Sequence, residues 1–125
     1  MEEEIRKKLT ADPDGLLSYE YIANHIDTVE PDLPWLVDNM IRVDLTGQFV
    51  ISAARYLYAI DPQTFAEAID RLIKAGIDKD RERRYLGDLL RQMYGADYTE
   101  RAAELSATDD NFRRIYKRLY PVSAI

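Results

Sequence analysis

The residues of this sequence that could perform acid–base or nucleophilic chemistry are few and scattered. His25 is the single histidine, and imidazole is the side chain that most often serves as a general base near neutral pH. Glu20 and Tyr21 lie within about one turn of His25, but no obvious nucleophile is tied to it. The chain contains no cysteine, which excludes thiol nucleophiles, disulfides and thiolate zinc sites. We therefore interpret His25 as a helix-end or surface residue.

Two carboxylate pairs stand at the spacing of one helical turn, Glu67 with Asp70 and Glu100 with Glu104. Carboxylates that bind divalent metals in helical bundles come from several helices and point inward. Both pairs lie among charged and polar residues, which is typical of a solvated face, and Asp70 can form an ion pair with Lys74. The sequence therefore predicts no catalytic residue, no cofactor and no metal site. A carboxylate-metal enzyme is the weakest of the alternatives.

Basic side chains cluster in two segments near the C-terminus, around residues 79–91 and on the last predicted helix. A regulatory protein that associates with nucleic acid could use such faces, because arginine and lysine neutralise phosphates. Acidic residues interleave with the first cluster, and the net charge of the chain is −6, so nucleic acid is the less favoured partner. The candidate residues of these faces are Arg81, Arg84, Arg91, Arg113, Arg114, Lys117 and Arg118.

Aromatic residues are the most suggestive feature of the composition. The chain has nine tyrosines and one tryptophan, and both types are favoured at protein interfaces because they combine a large apolar area with a polar tip. The candidate interaction residues are Trp35, Tyr56, Tyr98 and Tyr120. The leading hypothesis is a non-enzymatic protein-interaction or assembly module that forms a homodimer, and the alternative location for these rings is the rim of the core.

The elements that must position these residues are helices. Helix start and stop signals divide the chain into seven or eight short helices with mostly short connections, which predicts a compact all-α bundle in one domain over residues 1–125. The segment Thr46–Ile60 is apolar on most sides and is expected to be the central helix. Helices over Pro62–Ala75 and Lys79–Tyr94 are expected to pack around it.

Individual residues set the expected helix boundaries. Thr46 is expected to cap the central helix, Gly76 to end the helix that follows Asp61, and Asp78 to cap the next one. Gly87 then falls in the middle of a helix, where close packing of another helix is the favoured explanation. The helices after Asp61 and Asp78 resemble each other in length and caps but not in sequence, which leaves a repeat array open.

Two stretches carry a resemblance to known proteins: residues 52–57 running into Asp61-Pro62, and residues 77–85. They are similar to small all-helical bacterial proteins of uncharacterised function, and this resemblance implies no activity and no site residue. The charged N-terminus is unlike a signal peptide, and no apolar run approaches the roughly 20 residues of a membrane span. The cytoplasm is the expected location, without a membrane partner. The apolar tail 121–125 is expected either to fray or to dock on a neighbour.

Overall fold

A computed structural model describes residues 1–121 of the chain. These residues form helices and no β-strand, which confirms the all-α prediction. The eight α-helices of this range are α1 (Glu3–Thr10), α2 (Leu16–Asn24), α3 (Leu33–Val43), α4 (Gln48–Ile60), α5 (Ala66–Lys79), α6 (Leu89–Tyr94), α7 (Ala102–Thr108) and α8 (Asp110–Leu119), with a short 3₁₀ helix at Glu30–Asp32 before α3.

The helices pack in two rows, because helices that are two apart in the chain lie side by side. In one row α2 contacts α4, α4 contacts α6, and α6 contacts α8; in the other row α3 contacts α5. Contacts of α2 with α3 and of α4 with α5 join the rows. The most extensive helix pair, α4 with α5, joins the two rows, so the helices form the predicted compact bundle. We call this two-row bundle the array.

The helix α4 occupies the centre of the array, as predicted, and contacts α2, α3, α5 and α6. Its small side chains Ala53 and Ala54 are fully buried. The closest approach of a neighbour occurs at Gly76 of α5, where an added Cβ would lie only 2.6 Å from Cγ1 of Ile51. Glycine at this position therefore lets α5 pack directly against α4.

Several predicted boundaries between residues 44 and 94 are wrong. Gly76 lies inside α5, which continues to Lys79, because the close contact with α4 requires glycine there and the helix does not end. The side chain of Asp80, rather than that of Asp78, accepts hydrogen bonds from backbone N–H groups of the following loop. The predicted helix Lys79–Tyr94 is α-helical only from Leu89.

Gly87 precedes that helix, in a turn, and it is exposed. The only close neighbour of a Cβ at this position would be the Arg83 carbonyl oxygen, at 3.2 Å. Close packing of another helix is therefore not the reason for this glycine.

The C-terminal end of the array is built around Phe112 of α8, which has no exposed surface. The ring of Tyr94 meets it edge-on at 5.1 Å between centroids, and the ring of Tyr116 stacks on it at 5.4 Å. Arg114 ties α8 to α5 through an ion pair with Asp70, with 2.9 Å between Nη1 and Oδ1. Apolar packing thus holds the last helix in place together with polar contacts, of which this ion pair is one.

The N-terminal helix is attached through polar contacts from α3. The buried Asn39 donates from Nδ2 to the Leu9 carbonyl oxygen at 2.7 Å and to Ser18 Oγ at 3.1 Å. Arg42 donates to the Thr10 carbonyl oxygen at 2.8 Å. These two donors satisfy carbonyl groups at the C-terminal end of α1, where the helix itself offers no partner. Over residues 1–121, no helix has both the length and the apolar character needed to span a membrane.

Candidate interaction surface

Three loops of the same construction precede α2, α4 and α6, and each is organised by a buried aspartate. Asp12, Asp44 and Asp80 are 3%, 1% and 3% exposed. An aspartate that precedes a helix can accept hydrogen bonds from the first backbone N–H groups, which have no partner within the helix. In all three loops the carboxylate reaches the N–H group of the residue six positions later. The three loops share this hydrogen bond. In the first two the donor lies inside the helix that follows, whereas in the third it lies in a turn before α6 begins at Leu89.

The loop after α3 shows the full set of hydrogen bonds. Oδ1 of Asp44 accepts from the N–H groups of Thr46 at 3.0 Å and Gly47 at 2.9 Å. Oδ2 accepts from those of Phe49 at 2.9 Å and Val50 at 3.0 Å. Thr46 was expected to cap α4, but its hydroxyl accepts only a 3.3 Å hydrogen bond from the N–H of Gln48 and donates to Oδ1 of Asp44 at 3.3 Å. The prediction was wrong because the aspartate two residues earlier takes four donors.

A left-handed residue stands three positions after each aspartate. The φ angles are +106° at Gly15, +89° at Gly47 and +58° at Arg83. Glycine adopts this conformation without steric cost, whereas an L side chain is strained there. The third loop has an arginine in this strained position, and its hydrogen bonds differ as well. Oδ1 of Asp80 accepts from the residue four positions later, whereas Oδ1 of Asp12 and of Asp44 accepts from the residues two and three positions later.

The hydrogen bonds to Asp12 also change its acidity. Burial raises the pKa of this carboxyl, but hydrogen bonds from Ser18, Gly15 and Asp14 favour the charged form and outweigh burial. The resulting pKa lies below the ordinary value of 3.8. Asp12 is therefore ionised at neutral pH, and the loop that it organises is stabilised by charge-assisted hydrogen bonds.

The three loops lie next to one another along one edge of the molecule. A Cβ on Gly15 would lie 3.1 Å from Cβ of Phe49 and 3.3 Å from Cβ of Asp44. A Cβ on Gly47 would lie 3.3 Å from both Cβ and N of Asp80. We call residues 12–15, 44–47 and 80–84 the loop edge. Because neighbouring loops touch and each is closed by its aspartate, the loop edge is a preorganised surface.

Leu45 projects from the middle of the loop edge and is 81% exposed. A depression of about 270 Å³ lies on one side, lined by Pro13 and Phe49 among others. A second depression, of about 370 Å³, lies on the other side and includes Arg84 and Tyr85. Both depressions include Leu45 in their lining. A single exposed leucine is common on protein surfaces, but Leu45 stands between two hollows on loops whose conformation is fixed by buried carboxylates.

The exposed charges of the loop edge differ between its two ends. Asp14 is the exposed charged residue of the first loop, and the second loop exposes none. The last loop exposes Arg81, Arg83 and Arg84 against Glu82. The loop edge therefore runs from an acidic end through an apolar centre to a basic end.

Of the four predicted aromatic residues, the structure brings Tyr98 and Tyr120 together, and each of the four contacts a partner within the chain. The Arg6 guanidinium lies 5.4 Å from the ring centroid of Trp35. The rings of Tyr56 and Tyr19 meet edge-on at 6.4 Å. The hydroxyls of Tyr98 and Tyr120 are hydrogen-bonded at 2.8 Å. An interface formed by these side chains stays a prediction, and each ring has an intramolecular role as well.

Two further tyrosines, Tyr58 and Tyr94, are influenced by the charge of Asp109, which precedes α8. Tyr94 donates its hydroxyl to Oδ2 of Asp109 at 2.9 Å. Burial and the Asp109 charge raise the pKa of Tyr94 and of Tyr58 above the ordinary value of 10.0. The hydrogen bond with Tyr120, together with burial, raises the pKa of Tyr98 to about 12. None of these shifts favours a phenolate base at neutral pH.

The predicted basic faces are largely used within the chain. Arg114 pairs with Asp70, and Arg118 donates to the Arg81 carbonyl oxygen at 2.8 Å. The remaining ion pairs join neighbours in sequence and are as follows: Arg84 with Glu82 at 3.6 Å, Arg91 with Asp88 at 3.4 Å, and Arg113 with Asp110. Lys117 is exposed and forms no ion pair with the described part of the chain. Acidic partners thus reduce the potential that would attract phosphates.

The residues considered for acid–base or metal chemistry lie apart from one another. His25 is the C-cap of α2, as expected. Its Nδ1 lies 2.9 Å from the Tyr21 carbonyl oxygen, and its ring stacks on the ring of Tyr21 with 4.0 Å between centroids. Asp70 forms the expected pair with Lys74, at 3.1 Å. Across residues 1–121 no three potential ligand side chains are grouped to hold a metal ion.

Sequence reasoning missed the loop edge, although a signal was present. Asp12 and Asp44 are each followed by glycine three positions later, and an aspartate with a glycine at this spacing before a helix indicates a capped loop. The third copy is hidden because Arg83 replaces glycine. The tail considered for docking lies, from residue 122 onward, outside the described residues. The chain matches no protein-family model, no curated protein and no solved structure.

Proposed function

We propose that this chain is a non-enzymatic protein-interaction module of the cytoplasm that binds its partner through the loop edge. The observation that carries the proposal is the position of Leu45, 81% exposed between two depressions on a surface fixed by buried carboxylates. Rigid loops lose little conformational entropy on binding. An exposed leucine on such loops is therefore well placed to act as an anchor for another protein.

The geometry gives less support to the other two functions considered. Nucleic acid would need accessible positive charge, and most of the predicted basic residues have acidic or carbonyl partners within the chain. A small-molecule enzyme would need an enclosed pocket, and such sites have volumes of about 300–1,000 Å³. The hollow between α3 and the start of α5 has a volume of only about 190 Å³, and the larger depressions beside Leu45 are more open to solvent. The loop edge is therefore the surface best suited to binding another protein.

Site-specific photocrosslinking in living cells tests this proposal. A photoreactive amino acid replaces Leu45 in one variant and Ile60 in the control. Ile60 is 51% exposed and lies at the far end of α4, about 20 Å from the loop edge at 1.5 Å per residue. We expect a protein adduct from position 45 and not from position 60. Absence of an adduct at position 45, with the variant folded, would overturn the proposal.

A further inference from the structure

The loop edge has an order of surface types that makes it complementary to itself. Asp14 lies at one end, Leu45 at the centre, and Arg81 and Arg84 at the other end. The depression beside Asp14 contains no basic residue, whereas the one beside Arg84 contains three basic residues against two acidic ones. A two-fold rotation about an axis through Leu45 exchanges the two ends. The same rotation places the acidic end of one copy against the basic end of the other.

We propose that the partner at the loop edge is a second copy of this chain, related by a two-fold axis that passes beside Leu45. This proposal rests on the proposed function and adds the identity of the partner. In the dimer Leu45 packs on Leu45 of the second copy, and Asp14 of each copy faces the arginines of the other. A parallel placement would bring like charges together, which is unfavourable, so the charges also select the antiparallel arrangement.

The size of the surface sets the expected strength of the dimer. Three adjacent loops at helix spacings of about 10 Å give an edge about 20 Å long. Stable complexes bury roughly 800 Å² per partner, and a smaller contact is typical of transient association. We therefore expect a concentration-dependent dimer with a Kd of about 10–100 µM. Its affinity should decrease when salt is added, because exposed charges are screened.

The first experiment measures the solution mass by sedimentation equilibrium over a range of protein concentrations. We expect the mass of the wild-type chain to rise from 14.5 kDa toward twice that value. Leu45→Ser should weaken association at least about tenfold, because one apolar anchor is lost from the centre of the contact. The matched control Ile60→Ser should associate like the wild type. A wild-type chain that remains at the monomer mass at all concentrations would overturn the proposal.

The second experiment uses charge reversal and tests the two-fold geometry directly. Asp14→Lys places lysine against arginine in its own dimer, and the double variant Arg81→Glu with Arg84→Glu places glutamate against aspartate. Each variant should therefore be monomeric alone. An equimolar mixture should form a heterodimer, because the introduced lysine faces the introduced glutamates on one side and the native pair remains on the other. Folded variants that stay monomeric in the mixture would contradict this arrangement.

The mass of the photocrosslinked adduct separates the two proposals. An adduct of two copies at position 45 supports both. An adduct of any other mass overturns the second-copy inference and leaves the proposed function standing. Absence of an adduct overturns the proposed function itself. Circular dichroism and thermal unfolding of every variant confirm that a loss of association is not a loss of folding.

Discussion

The loop edge and the C-terminal end of the array are held together by different forces. At the loop edge, buried carboxylates accept directed hydrogen bonds from backbone N–H groups. At the C-terminal end, α8 is fixed mainly by the rings around Phe112. Hydrogen bonds of this kind specify a backbone conformation, whereas ring packing specifies mainly volume and shape. The difference explains why the molecule presents its most defined surface at loops.

The comparison also predicts different tolerance to mutation. A ring cluster accepts another large apolar side chain at moderate cost, because volume is largely kept. A carboxylate with four backbone donors has no such substitute, since an apolar replacement leaves every donor without a partner. The predictions below test this contrast, beginning with the largest expected effect.

Phe112→Ala should cause the largest loss of stability. The side chain is fully buried, and truncation of a buried phenylalanine lowers the free energy of unfolding by about 4 kcal/mol. Phe112→Leu should cost less than half as much, because most of the volume remains. Urea unfolding followed by circular dichroism measures both. Equal losses for the two variants would show that ring volume is not what holds α8.

Asp44→Ala should lower the free energy of unfolding by about 3 kcal/mol, because four backbone N–H groups lose their acceptor and α4 loses its cap. Thr46→Ala, the matched control in the same loop, should cost less than about 1 kcal/mol, since both hydrogen bonds of its hydroxyl are long, at 3.3 Å. The same urea titration measures both. A loss at Thr46 that equals the loss at Asp44 would contradict the assignment of Asp44 as the organising residue.

Low pH should destabilise the loop edge, and high pH should destabilise the C-terminal end. The pKa of Asp12 is lowered in the folded chain, so its contribution is complete above its unfolded pKa and is lost as the pH falls through the folded value. Asp12→Asn should cost about 1–2 kcal/mol at pH 7. The difference from the wild type should shrink below about pH 4. A difference that does not change with pH would contradict ionisation of Asp12 as its cause.

The tyrosines of the C-terminal end give the opposite dependence. The pKa of Tyr98 is raised to about 12 in the folded chain. Its contribution is therefore complete below the ordinary tyrosine pKa and is lost as the pH rises through the folded value. Between about pH 10 and 12 the wild type should lose more stability than Tyr98→Phe does, because phenylalanine has no hydroxyl to ionise. Thermal unfolding at a series of alkaline pH values measures it, and identical profiles for variant and wild type would refute it.

Arg83→Gly should produce the smallest effect and the opposite sign. The φ of +58° at Arg83 costs an L residue about 1–2 kcal/mol, and the greater chain entropy of glycine offsets part of that gain. We expect a net stabilisation of about 0.5 kcal/mol. Arg83→Ala keeps the strained conformation and should give no such gain. A rise in melting temperature for both variants would show that the arginine side chain, and not its backbone, carries the cost.

The sequence predicted the helical class and the central position of α4, because apolar spacing and start signals are local. It did not predict the continuation of α5 through Gly76. Glycine commonly ends helices, and only the proximity of Ile51 on another helix reveals its role here. Likewise Asp78 and Asp80 are equivalent in a propensity argument, and the tertiary placement of the loop selects Asp80.

The aromatic residues illustrate the same limit for the candidate surface. Their number was visible in the composition, but the partner of each ring was not, since Tyr98 and Tyr120 are far apart in sequence and hydrogen-bonded in space. Leu45 gave no sequence signal as an anchor. A single leucine between an aspartate and a threonine has no spacing pattern that would predict its 81% exposure.

The local character of the aspartate loops has a consequence for how the chain folds. Their hydrogen bonds span at most six residues, so they can form before distant segments meet. The Arg114–Asp70 pair joins residues 44 positions apart, and closing such a long segment costs entropy before any contact compensates for it. We expect the loops to be formed in the folding transition state and α8 to dock after it. Stopped-flow φ-values near 1 for Asp44→Ala and near 0 for Arg114→Ala are the expected signature.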